Sequence, residues 1–180
     1  MLSEQELIKQ CVDQKQGALE ELYKRFSPLM YGVCLRYVKN RDDAMDMLHD
    51  GFIKVFASLE GFRFTGSLEG WIRRIMVHTA INYYNRQICR KNRDFESVSE
   101  VLENDDPDVI SEMSASELLD LVQSLPDGYR VVFNLRVIEG YQHEEIAQML
   151  GISESTSKTQ LMKARKLLMT KIKIKVYETI

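Results

Sequence analysis

An acidic segment without a regular apolar period divides this chain into two stretches whose apolar residues recur at helical spacing. Residues 94–117 contain nine Asp or Glu and no Lys or Arg. On both sides of this segment apolar residues recur every three or four positions, and no run alternates apolar and polar residues between turn residues. The sequence therefore predicts an all-α protein with two helical domains, residues 1–93 and 115–180, joined by a flexible acidic linker at residues 94–114.

Positive charge is concentrated outside the linker, although the whole chain has a formal net charge of -3. Residues 71–93 contain six Lys or Arg, residues 156–175 contain seven, and neither stretch contains an acid. Clustered cations create the potential that attracts the phosphates of nucleic acid. The two stretches indicate a nucleic-acid partner, and solvated basic helices of a bundle are the alternative.

Composition and motifs argue against several other classes of protein. No apolar run approaches the length of about 18 residues that a membrane helix needs. Because the first residues do not resemble a secretory signal either, we expect a cytoplasmic protein with no stable membrane insertion. Cys11, Cys34 and Cys89 lie far apart and outside any C-x-x-C motif, so neither a disulfide framework nor a zinc site is predicted. No nucleophile motif or phosphate loop is present, and we expect no catalytic residue, metal or cofactor.

Residues 143–168 have the layout of a helix-turn-helix, with Gly151 between a short helix and a basic one. Ala147 is small enough for two helices to approach closely, and Gly151 accepts the positive φ that the turn demands. Ser157 occupies an interior position that is normally apolar, which weakens the packing unless its hydroxyl bonds back to the helix. On the opposite face, short hydroxyls and long cations suit base edges and phosphates together.

The basic stretch of the first domain combines cations with aromatic residues. Trp71 and Tyr83 lie among its arginines, and a loop containing Phe62 and Phe64 precedes it. Unstacked bases are held by aromatic stacking beside a cationic groove. Single aromatics at helical spacing also commonly belong to a core, and both interpretations can hold for different residues.

An acidic face is predicted on the helix that begins after Asn40. Asp42, Asp43, Asp46 and Asp50 lie mostly opposite its apolar residues. Such a face is either solvated or a surface for a protein partner. A metal site is disfavoured, because the carboxylates have only His49 near them.

Three segments in this order, residues 43–56, 62–75 and 125–168, resemble the extracytoplasmic-function group of sigma factors in the sigma-70 family. The resemblance extends over about residues 5–93 and 115–172. It implies a non-enzymatic factor that directs promoter-specific transcription initiation by bacterial core RNA polymerase. The first domain then corresponds to sigma region 2 and the second to sigma region 4.

The resemblance implies three functional surfaces. The acidic helix would bind core polymerase through Asp43, Asp46, His49, Asp50 and Phe52. The following loop and helix would melt and capture the downstream promoter element through Arg63, Phe64, Thr65, Ser67, Leu68, Trp71, Arg73, Arg74, His78, Asn82, Tyr83 and Arg86. The C-terminal helix would read the upstream element in the major groove through Ser153, Ser155, Thr156, Lys158, Thr159, Met162, Lys163 and Arg165.

The chain departs from the family's pattern at several positions that bear on base preference. His78 stands where many relatives carry Asn, and the loop around Gly66 lacks an acid that is often present. Ser157 replaces a branched apolar residue and Gln160 replaces a base. The family also makes an anti-sigma partner plausible, and we expect a monomer when the protein is free.

Two other functions are compatible with the residues alone. A helix-turn-helix regulator that acts without polymerase would normally be a dimer on a palindromic site. An RNA-binding or scaffolding helical protein would use the basic stretches without sequence preference. An enzyme is the least favoured class.

Overall fold

The computed structural model describes residues 3–91 and 114–178. These residues form helices and no strand, as the sequence predicts. The helices are α1 (Glu4–Val12), α2 (Ala18–Leu35), α3 (Arg41–Ser58), α4 (Leu68–Lys91), α5 (Ala115–Gln123), α6 (Asp127–Phe133), α7 (His143–Leu150) and α8 (Glu154–Glu178). A 3₁₀ turn, Leu59–Gly61, follows α3, and a π-helical turn, Asn134–Ile138, follows α6.

The chain divides into two compact units, Met1–Tyr83 and Tyr84–Ile180. The predicted acidic linker, residues 94–114, lies outside the described residues except for Ser114, the N-cap of α5. The domain limits inferred from the sequence therefore stay predictions. No helix in the described ranges is long and apolar enough to cross a membrane.

Local capping residues fix where the first helices begin. The Ser3 hydroxyl accepts a hydrogen bond from the Glu6 backbone N–H (3.2 Å), and Asn40 Oδ1 accepts one from the Asp43 N–H (2.7 Å). Gly17 precedes α2 with a φ of 80°, a left-handed conformation that glycine adopts without steric cost. The hydrogen bonds to Ser3 and Asn40 satisfy backbone donors that a helix start leaves unpaired.

Helix α2 runs through Pro28, so no new helix starts at this proline. An interior proline removes a backbone hydrogen bond and costs about 3 kcal/mol. Leu22 and Phe26 before it and Met30 and Val33 after it are all buried. Because burying each such side chain contributes about 1.5–3 kcal/mol, packing on both sides of Pro28 outweighs its local effect.

The core of the first unit is built around α3. Its buried side chains are Ala44, Met47, Leu48, Phe52 and Val55. On the side facing α4, Gly51 packs against Met76, which is fully buried. The Lys54 ammonium donates a hydrogen bond to the buried Thr79 hydroxyl (2.9 Å), which donates to the Ile75 carbonyl (2.9 Å). These contacts fix how α4, with its basic residues, lies on α3.

A buried arginine holds the second unit together at the junction between α5 and α6. Arg130 is 4% exposed, and Nη1 donates to the carbonyls of Leu125 (2.8 Å) and Gln123 (3.3 Å). Its Nη2 forms a 2.9 Å ion pair with Asp127. The guanidinium thus satisfies carbonyls at the end of α5. The side chain of Leu125 packs with Ala164 and Leu168 of α8.

The three cysteines differ in exposure. Cys11 and Cys34 are buried, whereas Cys89 is exposed, and all three are free thiols. Burial raises the pKa of Cys34 to about 12. Because only the thiolate is reactive, Cys34 is chemically inert at neutral pH.

Candidate nucleic-acid interfaces and acidic face

Helices α7 and α8 form the predicted helix-turn-helix. Gly151 ends α7 with a φ of 65°, and the Ile152 N–H donates to the Ala147 carbonyl (3.1 Å). Ser153 then caps α8, because its hydroxyl accepts a hydrogen bond from the Thr156 N–H (3.1 Å). The left-handed glycine and the serine cap together produce the short turn that the motif requires.

One face of α8 is exposed and carries the predicted upstream contacts. Leu161, Ala164 and Leu168 are buried on the other side. Met162 is 62% exposed, which is unusual for a large apolar side chain and suits contact with a thymine methyl group. The remaining candidates on this face are exposed except for the half-buried Thr156: Ser153, Ser155, Lys158, Thr159, Lys163 and Arg165.

The most central cation of this face has a partner in the free protein. Lys158 Nζ lies 2.7 Å from Glu154 Oε1, one turn earlier on α8, and both side chains are more than half exposed. The hydrogen bond from Lys158, followed by its charge, lowers the pKa of the Glu154 carboxyl. An anionic ligand would therefore have to compete with Glu154 for Lys158.

Ser157 bonds across the motif and not back to its own helix. Its fully buried hydroxyl lies 2.9 Å from Nδ1 of His143, the first residue of α7. Gln160, the other departure on α8, is half-buried, with Nε2 3.2 Å from the point that a β-carbon of Gly128 on α6 would occupy. Both residues therefore take part in the internal packing of the second unit.

This His143–Ser157 hydrogen bond could not be inferred from the sequence. The only signal was that a polar residue stood at an interior position of α8. Burial, followed by the charges of Arg136 and Lys158, lowers the pKa of His143. The lowered pKa favours the neutral imidazole at neutral pH, in a part of the second unit where cations predominate.

The acidic face of α3 is exposed at three of the five positions that the resemblance assigns to polymerase: Asp46, His49 and Asp50. Asp42 on the same face is also exposed. Ile53, one turn beyond His49, is 65% exposed, a signal of a contact surface that sequence reasoning missed.

Two residues assigned to this surface have internal roles. Asp43 is half-buried and accepts a hydrogen bond from Asn40 Nδ2 (2.8 Å), so it belongs to the N-terminal cap of α3. Phe52 is 2% exposed and packs on Tyr23, with ring centroids 4.7 Å apart. The assignment of Phe52 to a partner surface is corrected, because its side chain lies in the core.

Three aromatic rings form a cluster at the loop before α4. Phe62 is buried, and its ring centroid lies 4.9 Å from that of Phe64 and 5.3 Å from that of Trp71. Phe64 is 49% exposed and has a φ of 56°, a left-handed conformation that is rare for a bulky residue. Trp71 is half-buried. The two outer rings of this cluster thus remain partly accessible.

The other loop residues divide between surface and core. Arg63 and Thr65 are exposed. Ser67 is exposed, and its hydroxyl accepts a hydrogen bond from the Gly70 N–H (3.1 Å) at the start of α4. Leu68 is 0% exposed, so its assignment to DNA contact is corrected: it begins α4 and anchors that helix in the core.

Helix α4 carries a polar stripe with a spacing of four residues. Arg74, His78, Asn82 and Arg86 are exposed, whereas Arg73 and Tyr83 are half-buried. Residues four apart lie on one face of a helix. The four exposed side chains therefore share one face of α4. The aromatic cluster lies at the start of the same helix and on the loop that precedes it.

Comparisons with known proteins match both units. The Sigma-70 region 2 family matches residues 22–88, and the Sigma-70, region 4 family matches residues 115–168. The ECF RNA polymerase sigma-E factor of Haemophilus influenzae is 30% identical, over 95% of this chain and 96% of its own length. RNA polymerase sigma factor SigV of Bacillus subtilis is 33% identical, over 77% of this chain and 81% of its own length. A similar solved structure is sigma factor RpoE of Bartonella quintana, in complex with the anti-sigma factor NepR. Its TM-score is 0.52 at 18% identity, over 88% of this chain and 98% of that chain, which supports the fold.

Proposed function

This chain belongs to the extracytoplasmic-function sigma factors, which direct promoter-specific transcription initiation by RNA polymerase, and we propose that it does so through three surfaces. The acidic face of α3 binds core polymerase. The aromatic cluster and α4 capture the downstream promoter element. The exposed face of α8 reads the upstream element. Sigma factors are regulators without enzymatic activity, and none of these surfaces needs a cofactor.

The exposure of Asp46, His49 and Asp50 on α3 carries the proposal. A regulator that acts without polymerase has no need for such a face, whereas a polymerase subunit must dock on its enzyme. Ile53 adds an exposed apolar side chain beside these charges. Charged groups around an apolar contact are typical of protein interfaces, where charge gives specificity and apolar burial gives affinity.

The downstream element is held as a single strand by aromatic rings and cations of the first unit and α4. Phe64 and Trp71 offer partly accessible rings, and Arg63 and Arg74 supply positive charge. Stacking of a base on an aromatic ring contributes about 1–3 kcal/mol. His78 and Asn82 on the polar stripe of α4 are the side chains that would select bases. Arg73, Tyr83, Arg86, Thr65 and Ser67 complete this set.

The upstream element is read in the major groove by α8. Lys158, Thr159, Met162 and Lys163 offer cations, a hydroxyl and an apolar group to base edges and phosphates. Ser153, Ser155, Thr156 and Arg165 lie on the same helix or at its start. The Ser153 hydroxyl lies 2.9 Å from that of Ser155 and 2.7 Å from that of Thr156. Such a cluster of hydroxyls at a helix N-terminus suits a phosphate oxygen.

Regulation by a protein partner is a further part of the proposal. The structurally similar RpoE of Bartonella quintana was solved with the anti-sigma factor NepR, and we propose a partner of this class for the present chain. The free protein is then a cytoplasmic monomer that binds promoter DNA weakly. Core polymerase makes both DNA contacts simultaneous, so that two modest affinities add through effective concentration.

The docking proposal is tested by mixing the purified protein with bacterial core RNA polymerase and following the complex by gel filtration. Asp50→Arg reverses the charge of an exposed carboxylate on the acidic face and should abolish the complex. Glu60→Arg makes the same change of charge at an exposed residue of the first unit outside α3 and should leave the complex intact. If the wild-type chain forms no complex, the polymerase function fails and an independent DNA-binding regulator becomes the better account.

A further inference from the structure

His143 has one ring nitrogen committed to the protein and one available. Nδ1 lies 2.9 Å from the hydroxyl of Ser157, which is fully buried on α8. Nε2 has no hydrogen-bond partner among the described residues. The bond to Ser157 links the start of α7 to α8, the recognition helix of the motif, so Nε2 has a defined position relative to α8.

The position of His143 in the motif brings it to the DNA backbone. It is the first residue of α7, the helix that precedes the recognition helix. In a helix-turn-helix bound to DNA, this first helix crosses the phosphate backbone while the second enters the major groove. Backbone N–H groups at its start and adjacent side chains are therefore suited to a phosphate oxygen.

The charges around His143 favour an anion. Arg136 from the π-helical turn and Lys158 and Arg165 from α8 act on the ring, and Glu154 on α8 is the opposing acid. Burial and the three cations lower the pKa of His143, so that the free protein holds a neutral imidazole at neutral pH. A phosphate would offset the cations and favour the charged form of the ring.

We propose that His143 binds a backbone phosphate of the upstream promoter element as an imidazolium, and that upstream binding therefore takes up one proton from solvent. The inference rests on the proposed upstream function of α8. In the imidazolium both nitrogens donate, so Nδ1–H donates to the Ser157 hydroxyl and Nε2–H to the phosphate. Affinity then rises as the pH falls, by at most about tenfold per pH unit for a single proton.

Two substitutions separate the phosphate contact from the contact with Ser157. In His143→Asn, the amide nitrogen can take the place of Nδ1 and keep the bond to Ser157, but it cannot be protonated or replace Nε2. In His143→Lys, a permanent cation replaces the titrating one. Glu144→Gln is the matched control, since it removes a titratable group at the next, exposed residue of α7.

The measurement is the affinity of the reconstituted holoenzyme for promoter DNA between about pH 6 and about pH 8, with thermal unfolding of each variant. The wild-type affinity should fall with rising pH by about threefold to tenfold more than that of His143→Asn. His143→Lys should bind tightly across the range, and Glu144→Gln should follow the wild type. If all four pH profiles coincide while the holoenzyme still binds its promoter, His143 does not bind phosphate and the proposed function stands. A wild-type holoenzyme that binds no promoter would overturn both.

Discussion

Gly51 of α3 approaches Met76 of α4 so closely that a β-carbon at position 51 would overlap Met76 Sδ and lie 2.8 Å from its Cε. Met76 is 0% exposed, so a close-packed core surrounds its side chain. Overpacking usually costs about 1–3 kcal/mol, and the helix preference of alanine offsets up to about 1 kcal/mol of it, so we expect Gly51→Ala to lower the free energy of unfolding by up to about 2 kcal/mol. Urea denaturation of the purified protein measures this difference.

Gly32→Ala on α2 is the matched control for this prediction. No side chain lies within 4 Å of a β-carbon at position 32. Because alanine favours helix over glycine, Gly32→Ala should raise the free energy of unfolding by up to about 1 kcal/mol. Equal stabilisation by both substitutions would show that α3 and α4 are not packed this closely.

Arg130 should be the most sensitive charged residue of the second unit. Replacing it with Met removes the hydrogen bonds that the guanidinium donates to the Gln123 and Leu125 carbonyls and to the Asp127 carboxylate. Removing one partner from a buried polar group costs about 1–3 kcal/mol, and more where a charge is involved. We expect Arg130→Met to destabilise the protein by about 2 kcal/mol or more in denaturant titrations.

Arg165→Met on α8 provides the comparison, since Arg165 is exposed and such changes usually stay within about 0.5 kcal/mol. Similar midpoints for the two variants would argue that Arg130 does not stabilise the turn between α5 and α6.

Local signals in the sequence are sufficient to locate the helix-turn-helix and several helix starts. Ser3, Asn40 and Ser153 accept bonds from the following backbone, and Gly17 and Gly151 adopt positive φ, all within a few residues. The exposed face of α8 was predictable for a similar reason. The spacing of Leu161, Ala164 and Leu168 determines which side of the helix is buried.

Features that depend on distant residues could not be predicted. The bond between His143 and Ser157 joins residues fourteen positions apart on two helices. The uninterrupted path of α2 through Pro28 depends on packing against other helices. The apolar spacing of α3 places Phe52 on its buried side, against its assignment to a partner surface. For Leu68, which follows loop residues assigned to DNA contact, only the folded arrangement shows that the side chain lies in the core.

The left-handed backbone at Phe64 should be retained for function and not for stability. For a residue other than glycine this conformation costs about 1–2 kcal/mol, and the contact with Phe62 returns about 0.5–1.5 kcal/mol. Asparagine tolerates a positive φ and lacks the ring. Phe64→Asn should therefore change the free energy of unfolding by less than about 1 kcal/mol, yet reduce promoter melting by about fivefold or more.

Permanganate reactivity of unpaired thymines in holoenzyme–promoter complexes measures this melting. Phe62→Ala is the comparison, because removal of the buried ring should destabilise the protein by about 3 kcal/mol or more. Normal melting by Phe64→Asn would exclude Phe64 as a stacking residue.

The ion pair between Glu154 and Lys158 should limit upstream binding. Lys158→Ala should weaken binding of the upstream element by about 1–3 kcal/mol if the lysine contacts a base, and by less if it contacts only phosphate. Glu154→Gln releases Lys158 and removes a negative charge near the DNA, so affinity should rise. Fluorescence anisotropy of holoenzyme on labelled promoter at several salt concentrations measures both effects. Unchanged affinity in both variants would place Lys158 outside the interface.

Runoff transcription from a promoter library, with core RNA polymerase and this protein as the sole initiation factor, tests the central claim most directly. The account predicts that the active promoters share a two-part sequence, upstream and downstream, at fixed spacing. Asp50→Arg should eliminate initiation altogether, and Lys158→Ala should relax the upstream part alone. Initiation without a shared sequence, or no initiation by wild-type protein bound to core, would contradict the assignment of the three surfaces.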